Sequence, residues 1–237
     1  MEVALVTVGD ELLAGDTVNT NAAWLGERLF ERGTTVERIT VVPDRMADIA
    51  KVVNEYAAAY DAVIVTGGLG PTHDDVTMDA IAAAVGRTLE PSEPVLDHLE
   101  SEGGYAHGDL AAGTLDIPAG ARPLHNDVGV APGCIVENIY VLPGVPAEMK
   151  GMFETIAEEF TGQKRHVGFV TVDEPESALL DRLERLQQRF DVKVGSYPGE
   201  FVRVKIDAPD ELTLHEATDW LRERVEVTDR DTTASRR

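Results

Sequence analysis

The densest chemistry in this chain lies in eleven consecutive residues: Gly67, Gly68, Leu69, Gly70, Pro71, Thr72, His73, Asp74, Asp75, Val76 and Thr77. Three glycines let backbone N–H groups approach an anion closely, and a helix opening at Thr77 adds the positive end of its dipole. Two adjacent carboxylates in such a loop repel an anionic ligand unless a divalent cation bridges them to its phosphate oxygens. Glycines plus acids therefore predict a metal-assisted phosphate site. The competing explanation is a tight turn with an acidic helix start, where both acids merely complement the dipole. A turn needs one glycine rather than three, and it does not need both acids. The segment is not a P-loop, because no Gly-Lys-Ser/Thr follows, and it lacks the G-x-G-x-x-G dinucleotide pattern.

Two further groups point the same way. Gly9, Asp10 and Glu11, followed by Asn19, Thr20 and Asn21, leave the end of a strand-like run at residues 3–8. In a doubly wound sheet that end faces the same crevice as the end of the strand before Gly67. There Asp10 and Glu11 would join the metal or hydrogen-bond a ribose; alone they are an ordinary acidic loop. The other group is Asn126, then Ala131, Pro132 and Gly133, then Pro143, Gly144, Val145, Pro146, Glu148 and Lys150. Pro146 suits the first turn of a helix whose free N–H groups form a second anion site. Lys150, one of only five lysines, sits about one turn in, either reaching a phosphate or lying solvated on the helix. Cys134 has no patterned histidine near it and reads as a small hydrophobe.

The elements that must position these residues alternate. Short apolar runs at 3–8, 35–42, 62–66 and 138–142 read as buried strands. Helical spacing fills 20–32, 46–59 and 77–85, a helix follows Pro146 to about residue 160, and Thr77 is expected to cap its helix. Residues 91–132 are less regular, with a helix at 91–102 and a mobile loop at 103–113. The predicted fold is α/β: a three-layer, doubly wound, mostly parallel sheet over residues 1–160. After a linker at 161–165, strand, helix, strand, strand and helix over 167–227 make a small α+β subdomain. A polar tail, 228–237, is expected to be disordered.

Composition sets the frame. Acids outnumber bases 43 to 21, for a net charge of −22. The acids are spread along the chain, as on a surface adapted to a salt-rich cytoplasm where screening removes self-repulsion. Such a balance argues against a general nucleic-acid binder, which needs a basic stripe. No apolar run nears the roughly 20 residues that span a bilayer, and the N-terminus has no secretory character, so a cytoplasmic, non-membrane protein is expected.

Taken together, the 9–13, 19–21, 67–77, 131–133 and 143–153 motifs resemble the N-terminal domain of the CinA family of competence- and damage-inducible proteins. That domain shares its fold with molybdopterin-binding and molybdopterin-adenylylating proteins. The stretch from Val167 to Asp207, with Gly195, Ser196, Tyr197 and Pro198, is similar to the KH-like subdomain that follows it there. Val130 stands where the family usually has threonine, and Asp127 where proline is common. The deamidase domain of longer members has no counterpart in these 237 residues, and no clear G-x-x-G loop accompanies the KH-like piece.

The resemblance implies a metal-dependent pyrophosphatase splitting ADP-ribose into AMP and ribose 5-phosphate. Asp75 would be the essential metal-side acid, Asp74 and Asp10 would assist, His73 would contact the ligand, and the cation would be of the magnesium or cobalt class. The alternatives are a molybdopterin-binding or adenylylating protein using the same crevice, and a non-catalytic nucleotide binder. Relatives are commonly oligomeric, so a homo-oligomer is expected.

Overall fold

The computed structural model describes residues 1–101, 110, 111 and 113–228. It divides into two compact units, Met1–Gly162 and Gln163–Arg237. The boundary falls inside the stretch read as a linker.

The first unit begins with β1 (Glu2–Val8), whose last six residues are all buried, as a strand covered on both faces must be. A short helix, α1 (Asp10–Ala14), occupies what reads in sequence as a polar loop. Asn19 caps α2 (Thr20–Glu31) by accepting from the Ala22 N–H, 3.1 Å away. Then come β2 (Thr35–Val42), α3 (Met46–Ala59), β3 (Ala62–Thr66) and α4 (Thr77–Ala84). Thr77 does not cap α4: Val76 holds the cap position, and Thr77 is already helical with its hydroxyl turned inward.

An antiparallel pair, β4 (Leu89–Pro91) with β5 (Asp116–Pro118), flanks α5 (Glu93–Ser101). Pro91 thus closes a strand rather than opening the helix. The loop expected at 103–113 and the tail lie largely outside the described residues. β6 (Arg122–Leu124), β7 (Gly133–Val136), β8 (Ile139–Leu142) and α6 (Pro146–Ile156) complete the unit.

The main sheet runs β2-β1-β3-β8-β7-β6. Its first four strands are parallel, and β7 and β6 extend it antiparallel. Alternate residues of β1 serve two cores, which makes the unit three-layered. Val3 and Leu5 pack with Leu25, Met149 and Phe153, while Val6 and Val8 pack with Ile49, Val53 and Ile81. The antiparallel pair β6–β7 went unread in the sequence because three- and four-residue strands carry too little alternation to register.

The second unit is β9 (His166–Val172), α7 (Glu176–Arg189), β10 (Lys193–Tyr197), β11 (Val202–Ala208) and α8 (Glu211–Arg222). Its sheet is antiparallel in the order β10-β11-β9, with Leu179, Leu183, Leu186, Ala217 and Leu221 of the helices packed on one face.

Candidate functional site

The four parallel strands end at one edge, and the turns leaving them are laced together. The Gly9 N–H donates to Val42 O at 3.1 Å, and the Gly67 N–H to Leu142 O at 3.2 Å. Gly67 has φ +101°, and a Cβ there would lie 2.4 Å from Val8 O. A Cβ on Gly144 would come within 3.2 Å of the Gly67 Cα. The turn after β3 therefore lies against the ends of β1 and β8 at a distance only glycine permits. The strand order reverses at β1, between β2 and β3, and an open α/β sheet leaves its crevice at such a switch.

A cavity of about 250 Å³ occupies that position. Thr7 and Thr66 come from the strand ends, Glu11 from α1, Asn19, Thr20 and Asn21 from the start of α2, and Gly67, Gly144 and Pro146 from the two other turns. Asn19 is spent on structure, since its amide also donates to Thr7 Oγ1 at 3.1 Å. Asn21 donates through Nδ2 to Gly144 O at 2.7 Å, but its Oδ1 is buried and meets no partner. Thr66 Oγ1 is buried and unpartnered as well. Each such atom costs folding about 1–3 kcal/mol unless something else supplies the bond. Both residues line this cavity, and the two atoms lie just beneath its wall.

A second cavity, of about 500 Å³, lies along Gly68, Leu69, Gly70, Pro71 and Thr72, with Met78, Leu89, Val130, Ala131 and Pro132 opposite. Gly67 lines the small cavity and Gly68 the large one, so a ligand occupying both would cross the glycine backbone. Among the described residues, the amides of Gly68, Leu69 and Gly70 donate to no protein acceptor. They are free backbone donors of the kind an anion-binding turn needs.

The acids stand in pairs. Asp75 Oδ2 accepts from the Thr72 N–H at 3.0 Å and from its hydroxyl, which also meets Asp74 Oδ1. That hydroxyl holds the Asp74 carboxyl below the usual range. His73 sits at the tip of the loop, its side chain almost wholly exposed. Asp44, in the turn after β2, accepts from the Asp10 N–H at 2.7 Å. Burial raises the Asp44 pKa, the Asp10 amide opposes the rise, and the carboxylates of Asp10, Glu11 and Asp74 add to it. Asp44 was overlooked in the sequence. Its signal was topological: it follows a parallel strand, like the other three turns. Oxygen donors suit a hard cation, yet no three of these groups converge closely enough to hold one among the described residues.

Several residues predicted to touch ligand make contacts within the protein. Asn126 donates to Ala131 O (2.9 Å) and Glu148 Oε2 (2.7 Å) and accepts from the Gly129 N–H (2.9 Å), pinning the 126–131 turn onto α6. Gly133 is a buried residue of β7, where a Cβ would strike Val141 O and Met152. Pro143 is buried, and Val145 is exposed at the cap of α6. Lys150 lines neither cavity; its ammonium lies 5.6 Å from the centre of the Trp24 ring. Asp127 pairs with His98 at 3.2 Å.

Residues 4–163 match the family model described as "Probable molybdopterin binding domain". A crystal structure of CinA from Thermoplasma acidophilum superposes with a TM-score of 0.62 at 37% identity, covering 67% of this chain and 97% of that one. The chain belongs to the CinA family. A second family model, "FAD synthase, middle domain", matches residues 164–230. A protein of Pyrococcus furiosus is 41% identical over 247 residues, covering 94% of this CinA-family chain and 97% of the relative. A CinA-like protein of Geobacter sp. M21 is 36% identical over 244 residues, covering 95% of this chain and 58% of the relative. No described helix is long and apolar enough to cross a membrane.

Proposed function

We propose that this CinA-family protein binds a phosphorylated pterin of the molybdopterin class across the two cavities. The polar end would seat against Asn21 and Thr66, and the phosphate against the amides of Gly68, Leu69 and Gly70. The observation that carries this reading is a cavity at the strand-order switch lined by two residues, Asn21 and Thr66, whose buried side-chain oxygens find no protein partner. A pterin offers both ring N–H donors and acceptors, which suits a site presenting a carbonyl oxygen, a hydroxyl and the Glu11 carboxylate. The family match over residues 4–163 supports the same ligand class.

Titration of the protein with molybdopterin, followed by calorimetry, tests it. Thr66→Val keeps shape and removes the hydroxyl, so affinity should fall about tenfold with the melting temperature unchanged or raised. Equal affinity in Thr66→Val and Asn21→Ala would place the ligand elsewhere.

The gathering of Asp10, Glu11, Asp44, Asp74 and Asp75 at the same edge favours a second reading, hydrolysis of ADP-ribose to AMP and ribose 5-phosphate. It needs a divalent cation whose shell the diphosphate oxygens would complete. Chromatography of ADP-ribose incubated with the protein and magnesium or cobalt distinguishes the two: metal-dependent AMP release supports the hydrolase.

A further inference from the structure

The second unit carries a surface unlike the rest of the chain. Of the 21 lysines and arginines, ten fall among its described residues, 163–228, and three of the five lysines lie between positions 164 and 205. The sheet concentrates part of this charge on one face. Val170, Val172, Val204 and Ile206 point into the helices' core, so the alternate positions face away from it. The strand pairing sets those positions in rows: Tyr197 beside Arg203 and Thr171, Gly195 beside Lys205 and Phe169, and Lys193 beside Asp207 and Val167.

Two aromatic rings lie open here, Tyr197 at 54% and Phe169 at 36% exposure. The Arg203 guanidinium lies 3.8 Å from the centre of the Phe169 ring. The Tyr197 ring lies across Gly195, where a Cβ would come within 3.3 Å of it. Both platforms therefore rest against the sheet. Asp207 is the one acid within the three strands, and it is bonded by Arg165 (Nε to Oδ1, 2.5 Å).

We propose that this open face of the β10-β11-β9 sheet binds single-stranded nucleic acid. Bases would stack on Tyr197 and on the Arg203–Phe169 pair, and the backbone phosphates would be drawn by Lys193 and Lys205. Aromatic and guanidinium planes accept any base, and a face that carries cations with no unpaired acid is complementary to a polyanion. The whole-chain balance of −22 pointed away from nucleic acid because it averages this face with the acidic first unit.

Fluorescence anisotropy of labelled 12-nucleotide oligouridylate and oligothymidylate, added to the full chain in KCl concentrations where circular dichroism shows it folded, tests the proposal. Saturable binding is expected, with Phe169→Ala and Tyr197→Ala each weakening it about tenfold at unchanged melting temperature. Neutralising Lys193, Arg203 and Lys205 should flatten the salt dependence by a slope of about 2 in log Kd against log salt. Leu180→Ala, on the exposed side of α7, should bind as wild type. Absence of saturable binding, or binding indifferent to both aromatic substitutions, overturns the proposal. So does a concentration-dependent dimer that the same substitutions dissolve without any oligonucleotide affinity, which would make the face a self-association surface.

Discussion

At the scale of the residue, the glycine turn and Thr77 are one packing problem. Gly68 has φ +65°, and a Cβ there would stand 2.3 Å from Thr77 Oγ1. Gly68→Ala therefore combines left-handed strain with an overpacked contact and should cost about 2–4 kcal/mol in urea unfolding. Thr77 Oγ1 is fully buried and unpartnered, so Thr77→Val should be neutral or stabilise by about 1 kcal/mol. A loss of more than that would mean the hydroxyl has a partner in solution. Asp75 is tied to Thr72 by acceptor bonds that asparagine can partly reproduce through its own oxygen. Asp75→Asn should thus leave the melting temperature within a few degrees of wild type. If a cation bridges Asp75 to phosphate, the substitution should weaken ligand binding in magnesium and leave binding in EDTA unaffected. Equal binding in both conditions for wild type and variant would reduce Asp75 to a loop staple. Burial pushes the Cys134 thiol up to about 12, so it carries almost no thiolate near neutral pH. A thiol reagent should label it only after denaturation, and prompt labelling of the native protein would contradict the buried assignment.

At the scale of the element, α7 of the second unit is anchored by one arginine. Arg182 donates to both oxygens of Glu174 and to the carbonyls of Ala178 and Arg224, while Glu174 also accepts from the Glu226 N–H. The hydrogen bonds from Arg182, then the one from Glu226, lower the Glu174 pKa in the folded state. Since folding lowers it, the stabilisation is complete above the unfolded carboxylate value of about 4.3 and is lost as pH falls through the folded value. Trp24 and Trp220 are the only tryptophans, so Trp220 emission in a Trp24→Phe background reports this unit alone. Its stability should decline on acidification below about pH 5, and Glu174→Gln should flatten that decline while lowering stability at neutral pH. An unchanged acid limb in the variant would assign the pH dependence to other carboxylates.

At the scale of the whole molecule, charge is divided as unequally as structure. Residues 1–162 carry a formal −19 and residues 163–237 only −3. Self-repulsion among exposed acids is screened as the Debye length falls to about 3 Å at 1 M salt. The melting temperature should therefore rise with KCl, and the transition reported by Trp24 should rise more than that reported by Trp220. Parallel shifts, or none, would remove charge repulsion as the cause of any salt requirement.

What the sequence by itself determined is what local chemistry decides. Buried apolar runs and helical spacing place β1, β2, β3, α2 and α3 to within about a residue, because burial on both strand faces leaves an unbroken signal. Three glycines in 67–70 announce a close backbone approach whatever surrounds them. Only the tertiary structure decided which neighbours those residues meet. It set Gly144 on Gly67, put Asp44 beside Asp10, and left Asn21 Oδ1 and Thr66 Oγ1 unpartnered in two residues that line one cavity. It also bonded Asn126 to Glu148 and set the Lys150 ammonium against an indole ring. The reason is that a hydrogen bond or ion contact is settled by a few ångströms between residues far apart in the chain, 123 positions in the case of Asn21 and Gly144. Neither composition nor spacing along the chain encodes that separation.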